Sequence, residues 1–88
     1  MNVHTPTALL SPDEIGALEH AILDAHIGSD LPRLADGYRK GGNHAFASGE
    51  IDAGCFLFTQ AYVYALKAGL PDFAEELRAV LMHHGREA

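Results

Sequence analysis

The fold of this chain is decided by the stretch from Gly49 to Pro71, which reads GEIDAGCFLFTQAYVYALKAGLP. Its apolar residues recur at helical spacing and do not alternate as they would in a strand. The pattern predicts a helix from Ile51 to Ala68 that ends where Gly69 adopts a left-handed conformation. The apolar residues lie on most sides of this helix, which is typical of a central helix packed between neighbours.

A second helix precedes this stretch, beginning at the Ser29–Pro32 segment, in which proline is confined to the first helical turn. Its apolar stripe is Leu34, Ala35, Tyr38, Gly42 and Ala45. Two glycines, Gly41 and Gly42, either break the helix or allow another helix to approach closely. Because the apolar period continues to Phe46, we expect the helix to run through both glycines.

The first helix begins with a strong start signal after an N-terminal arm of residues 1–10. Ser11 and Glu14 have the spacing of a capping box, and Pro12 occupies the first helical position, where its missing N–H is not needed. The predicted buried stripe is Ile15, Leu18, Ile22 and Ala25. Gly28 is expected to end this helix.

The last helix begins at the Leu70–Asp72 segment and ends at Gly85, leaving residues 86–88 as a short tail. Its apolar stripe is Phe73, Leu77, Val80 and Leu81. His84 falls at the end of this stripe, so we expect it to be partly buried at the helix C-terminus. The sequence therefore predicts an all-α fold of four antiparallel helices in a single domain of residues 11–85, with a central hairpin over residues 31–69.

Within this hairpin, the segment from Tyr38 to Pro71 resembles one tetratricopeptide-type repeat, a helix-turn-helix unit of about 34 residues. The matching positions are Tyr38, Gly42, the Gly49–Asp52 turn, Gly54, Phe58 and Ala61. Small residues at Gly42 and Gly54 let two antiparallel helices approach, while Tyr38 and Phe58 fill the layer between them.

The segment departs from the repeat pattern at three positions. Ala45 stands where a tyrosine is usual, Gly54 replaces an alanine, and Leu66 occupies the proline position, with Pro71 five residues later. Repeats of this kind bury a continuous core by stacking, and about three are normally needed. The resemblance therefore implies a protein–protein interaction role without chemistry, and one repeat with two flanking helices favours self-association.

Composition and charge exclude several functional classes. The 88 residues carry a formal net charge of −6, and residues 1–36 contain six acids against Arg33 alone. A nucleic-acid-binding surface needs clustered Lys and Arg, which the chain lacks, so we expect no nucleic-acid partner. The longest mostly apolar stretch, residues 53–68, is too short to span a bilayer, and residues 1–10 do not read as a secretory signal. The single cysteine, Cys55, fits a reducing compartment, so a cytoplasmic location without membrane partners is expected.

Six histidines raise the question of a metal site. His20 and Asp24 are four residues apart on one helix face and could form half of such a site, the alternative being that the histidines are exposed surface residues. No spacing such as HExxH or CxxC occurs. Cys55 is the only thiol, and the apolar residues around it favour a core position over a nucleophile. We therefore expect no cofactor and no enzymatic activity.

The best candidate for an interaction surface lies on the third helix. It comprises Phe56, Tyr62, Val63 and Tyr64. Tyr62 and Tyr64 lie about 200° apart on the helix, so one is expected to pack inward and the other to reach a partner or the surface. Tyrosine is enriched at interfaces because it combines apolar area with a hydroxyl. Coverage of these residues by the first and last helices is the competing interpretation.

These observations lead to two functional hypotheses. The first is a non-catalytic interaction module of tetratricopeptide-like type that self-associates, forming a homodimer or binding a protein partner whose identity the sequence does not reveal. The alternative is a helical bundle that binds a metal or a small molecule through its histidines and acidic residues.

Overall fold

The structure is a computed structural model that describes residues 9–86. Of the expected N-terminal arm and C-terminal tail, residues 1–8 and 87–88 lie outside the described residues. Four helices follow one another: α1 (Pro12–Ile27), α2 (Leu31–Ala47), α3 (Ile51–Lys67) and α4 (Pro71–His83). The described range contains no strand, so the predicted all-α fold is confirmed.

The predicted helix starts of α1 and α2 are confirmed in atomic detail. The Ser11 amide donates to Glu14 Oε1 at 2.8 Å, and the Glu14 amide donates to the Ser11 hydroxyl oxygen at 3.2 Å, completing a capping box. At α2 the Asp30 carboxylate accepts from the Arg33 amide at 3.3 Å. Each cap satisfies an amide that the first helical turn leaves without a partner.

All four helices end in the same hydrogen-bonded turn. After α2, for example, the Glu50 amide donates to the Ala45 carbonyl at 2.8 Å, and the preceding amide donates to the Phe46 carbonyl. The turn requires one left-handed residue, supplied by Ser29, Gly49, Gly69 and Gly85, with φ between 53° and 81°. As predicted, Gly28 ends α1 and is its C-cap, but its φ is −87°, and the next residue, Ser29, takes the left-handed position.

Two glycines bring α2 and α3 together. A Cβ at Gly42 would lie 2.7 Å from one ring carbon of Phe58 and closer still to another, and a Cβ at Gly54 would lie 2.6 Å from the ring of Phe46. The two rings meet edge to face with centroids 5.1 Å apart. Gly42 precedes Phe46 in α2, but it contacts Phe58, which follows Gly54 in α3. The two helices are therefore antiparallel. The helix continues through both glycines, as predicted.

The core lies mainly among α2, α3 and α4. Its buried members are Ala35, Cys55, Phe58, Ala61, Ala65, Ala74, Leu77 and Leu81. Each helix packs chiefly on the next in sequence, and the α2–α3 pair is the most extensive. His84 is half-buried and stacks on Phe46 with centroids 4.8 Å apart, so its predicted position is confirmed.

The first helix is less buried than its sequence predicts. Only Ala25 is buried, whereas Ile15, Leu18 and Ile22 are half-exposed, so the predicted buried stripe is mostly wrong. The reason is that α1 lies at the edge and packs mainly on α2, to which it comes close at Gly37. A Cβ at Gly37 would lie 2.7 Å from Ile22.

Candidate interaction surface

The outer side of α3 carries three large exposed apolar residues. Phe56 is 61% exposed, Leu66 53% and Val63 38%. At 100° per residue these three lie within an arc of about 80°, so they form one strip along the helix. We call Phe56, Val63 and Leu66 the α3 strip. The sequence analysis named the first two as surface candidates and did not include Leu66.

The two tyrosines of the predicted surface do not divide as expected. Both Tyr62 and Tyr64 are half-buried and pack against the core, so the expectation that only one of them faces inward is wrong. The third helix has neighbours on two sides, and residues about 200° apart can each contact a different neighbour. The exposed surface therefore consists of the α3 strip rather than of the tyrosines.

Tyr64 is held in an aromatic cluster that joins three helices. Its ring stacks on Tyr38 with centroids 5.7 Å apart and meets His26 edge to face at 5.9 Å. His26 Nε2 and the Tyr38 hydroxyl are 2.9 Å apart and share a hydrogen bond. Burial, with the neighbouring Tyr64, raises the pKa of Tyr38 above 10.0. This cluster holds the C-terminal half of α3 against α1 and α2. None of its members covers the outer side of α3.

An ion pair between Asp52 and Arg86 lies at one end of the α3 strip, and Lys67 lies at the other. Near the N-terminus of α3, Asp52 Oδ1 accepts from Arg86 Nη2 at 2.7 Å. This hydrogen bond raises the pKa of the Arg86 guanidinium above its ordinary value. At the other end, Lys67 Nζ lies 5.8 Å from the ring centroid of Tyr64. The strip is thus apolar in the middle and charged at both rims.

Three adjoining depressions follow the contact between α1 and α2, with volumes of about 240, 310 and 400 Å³. Leu18 lines all three, and the smallest also reaches Leu57 of α3. At the rim of this smallest depression the Leu10 amide donates to His44 Nδ1 at 2.9 Å. The hydrogen bond anchors the chain entering α1 to the last turn of α2.

Among residues 9–86, the residues considered for metal binding or nucleophilic chemistry do not gather into one site. Asp24 is 3.9 Å from the guanidinium of Arg33, and His20 is exposed. Across residues 9–86, no three His, Cys, Asp or Glu side chains come together as a metal site would require. Cys55 is only 3% exposed, in agreement with the predicted core position, and its carbonyl accepts from the Thr59 hydroxyl at 2.9 Å.

None of the four helices is long and apolar enough to cross a membrane. Compared with known protein families, with curated proteins and with solved structures, the chain matches none.

Proposed function

We propose that this chain is a non-catalytic protein–protein interaction module of tetratricopeptide-like type that self-associates through the outer side of α3. The exposure of the α3 strip carries the proposal. Burying a large apolar side chain contributes about 1.5–3 kcal/mol, so a protein that leaves Phe56 61% exposed forgoes stabilisation that a partner could supply. Aromatic residues of this kind are enriched at the centres of interfaces.

The packing of the central hairpin supports the resemblance to a helical repeat. The rings of Phe46 and Phe58 occupy the space above Gly54 and Gly42, which is the role expected of small positions in such a unit. Each helix also packs chiefly on its neighbour in sequence, as in stacked repeats. Because such hairpins are normally stabilised by stacking, an unstacked one is well suited to bind a second copy.

The absence of catalysis is supported by the environment of the nucleophilic side chains. Cys55 lies in the core, and Ser11 caps α1 with its hydroxyl. A catalytic thiol needs access to substrate, which Cys55 lacks, and the Ser11 hydroxyl is engaged as the acceptor of the Glu14 amide.

The proposal is tested by measuring the solution mass of the chain by light scattering over a range of concentrations. We expect the wild-type mass to rise to that of a dimer and Phe56→Asp to remain monomeric. Ile27→Asp is the matched control, because Ile27 is 77% exposed on α1 and lies outside the strip. A wild-type chain that stays monomeric at every concentration contradicts self-association, and an equal loss in both variants contradicts the assignment to α3.

The depressions along the contact between α1 and α2 favour a second candidate function, the binding of a small apolar molecule. The most apolar of them has a volume of about 240 Å³, below the roughly 300–1,000 Å³ of most ligand sites, so we rank this function after self-association. The metal-binding form of this alternative predicts that Zn²⁺ titration of the wild type shows binding tighter than about 10 µM that His20→Ala removes. Weaker binding, or binding unchanged by the substitution, contradicts it.

A further inference from the structure

The residues on the outer side of α3 are arranged symmetrically about the middle of the helix, with residues of similar or complementary chemistry on either side. They are Asp52, Ala53, Phe56, Thr59, Gln60, Val63, Leu66 and Lys67, all of them exposed or half-exposed. At 100° per residue they cover an arc of about 140°, and the middle of this arc falls midway between Thr59 and Gln60. This point is also the midpoint of the set along the helix.

A two-fold axis through this midpoint brings together residues that complement one another. Phe56 meets Val63 of the partner subunit near the middle of the contact, so large apolar side chains face each other there, while Ala53 and Leu66 lie at opposite edges of the arc. At the rims, Asp52 meets Lys67 of the partner subunit. A two-fold interface repeats each of these contacts, because the same surface is used on both protomers.

We propose that the partner bound by the α3 strip is a second copy of this chain, with the two α3 helices antiparallel and the dyad between Thr59 and Gln60. This inference rests on the proposed function and adds to it the orientation and register of the complex. Charge complementarity decides the orientation. A parallel pair would place Asp52 beside Asp52 and Lys67 beside Lys67, adding like-charge repulsion between two chains that each carry a net charge of −6.

The charged residues at the rims are suited to this arrangement. Asp52 Oδ1 accepts from Arg86, which leaves Oδ2 to accept from Lys67 of the partner subunit. Within one chain Asp52 and Lys67 are fifteen residues apart on the same helix, a separation of about 22 Å, so they do not pair with each other. Any coupling between these two positions must therefore arise between chains.

Charge reversal tests the register through four samples: Asp52→Lys, Lys67→Asp, the double variant with both changes, and an equimolar mixture of the two single variants. In each single variant both rim contacts become like-charged, and we expect the dimer to weaken about tenfold, which corresponds to about 1.4 kcal/mol over two contacts. The double variant restores both opposite-charge contacts. The mixture also restores both, so native mass spectrometry should show the heterodimer in excess of either homodimer.

Glu76→Lys is the control, because it changes the net charge as Asp52→Lys does but lies exposed on α4. Circular dichroism of each variant verifies that it is folded. One outcome would show that the register is wrong while the proposed surface stands. In it, the wild type dimerises and Phe56→Asp abolishes the dimer, but the charge-reversed variants and their mixture behave like the control. If the wild type is monomeric, both this inference and self-association are overturned.

Discussion

Gly41 and Gly42 are adjacent in α2, yet the structure predicts opposite effects when each is replaced by alanine. A Cβ at Gly41 would lie 3.6 Å from a methyl carbon of Leu57 and 3.8 Å from one of Leu18, which are ordinary van der Waals contacts. Replacing a glycine inside a helix by alanine stabilises it by about 0.5–1 kcal/mol. Two new carbon contacts add about 0.2–0.4 kcal/mol. Gly41→Ala should therefore stabilise the fold by about 1 kcal/mol.

At Gly42 the same gain in helix propensity is outweighed by a collision. The new Cβ would lie 2.7 Å or less from ring carbons of Phe58 and 3.3 Å from the Gly54 carbonyl oxygen. Phe58 is 3% exposed and cannot move away without displacing the core. Overpacking of this kind costs about 1–3 kcal/mol, so the net effect of Gly42→Ala is a destabilisation of up to about 2 kcal/mol.

Urea and thermal unfolding followed by circular dichroism at one protein concentration measure the difference between the two variants. For a chain of this size, 1 kcal/mol corresponds to a change in Tm of about 4–8 °C. Gly16→Ala supplies the control for helix propensity alone, because nothing lies within 4 Å of its Cβ position. If Gly42→Ala matches Gly16→Ala in stability, the close approach of α2 and α3 described above is incorrect.

Four further predictions concern the turns, the α1 cap and the chain entering α1. Ser29→Gly removes the strain of a non-glycine residue held at a φ of 53°, which costs about 1 kcal/mol. The Tm should therefore rise by about 4–8 °C. An unchanged Tm would contradict the left-handed position of Ser29 in the α1–α2 turn. Ser11→Ala removes the α1 cap and should cost about 1 kcal/mol in urea unfolding. Hydrogen bonds from the amide and side chain of Ser11 lower the pKa of Glu14 below 4.5. The ionised carboxylate therefore stabilises the fold above that pH. This contribution is lost as the pH falls through the pKa of the folded state. The acid-induced loss of stability should be smaller in Glu14→Gln, and equal losses would exclude the contribution. His44→Phe keeps a ring but removes the acceptor of the Leu10 amide, whose hydrogen exchange should accelerate while amides within α2 are unchanged.

Much of the fold could be predicted because its determinants are local in sequence. The capping box of α1, the glycine after α3 and the apolar period through Gly41 and Gly42 depend on residues within a few positions of one another. The structure confirms each of them. The left-handed Ser29 could not be predicted, since serine seldom adopts this conformation and the adjacent Gly28 is the usual residue for it.

The features that sequence reasoning missed depend on which helix covers which face. The stripe of Ile15, Leu18 and Ile22 has the period of a buried face, but burial also requires a neighbour on each side, and α1 lies at the edge. The cluster of His26, Tyr38 and Tyr64 joins residues from three helices that no short spacing relates. Whether Leu66 faced the core or solvent likewise depended on where α4 packs.

The packing of each helix on its neighbour in sequence also bears on how the chain folds. Contacts of this kind close short loops, and helical proteins dominated by them fold within microseconds to milliseconds. The α2–α3 hairpin is the natural starting point, since its glycine contacts join two helices separated by a three-residue turn. Growth towards α4 buries Leu77 and Leu81 completely, whereas growth towards α1 buries only Ala25. During folding, α4 should therefore pack on the α2–α3 hairpin before α1 does. In the native protein, α1 should be the first helix to detach.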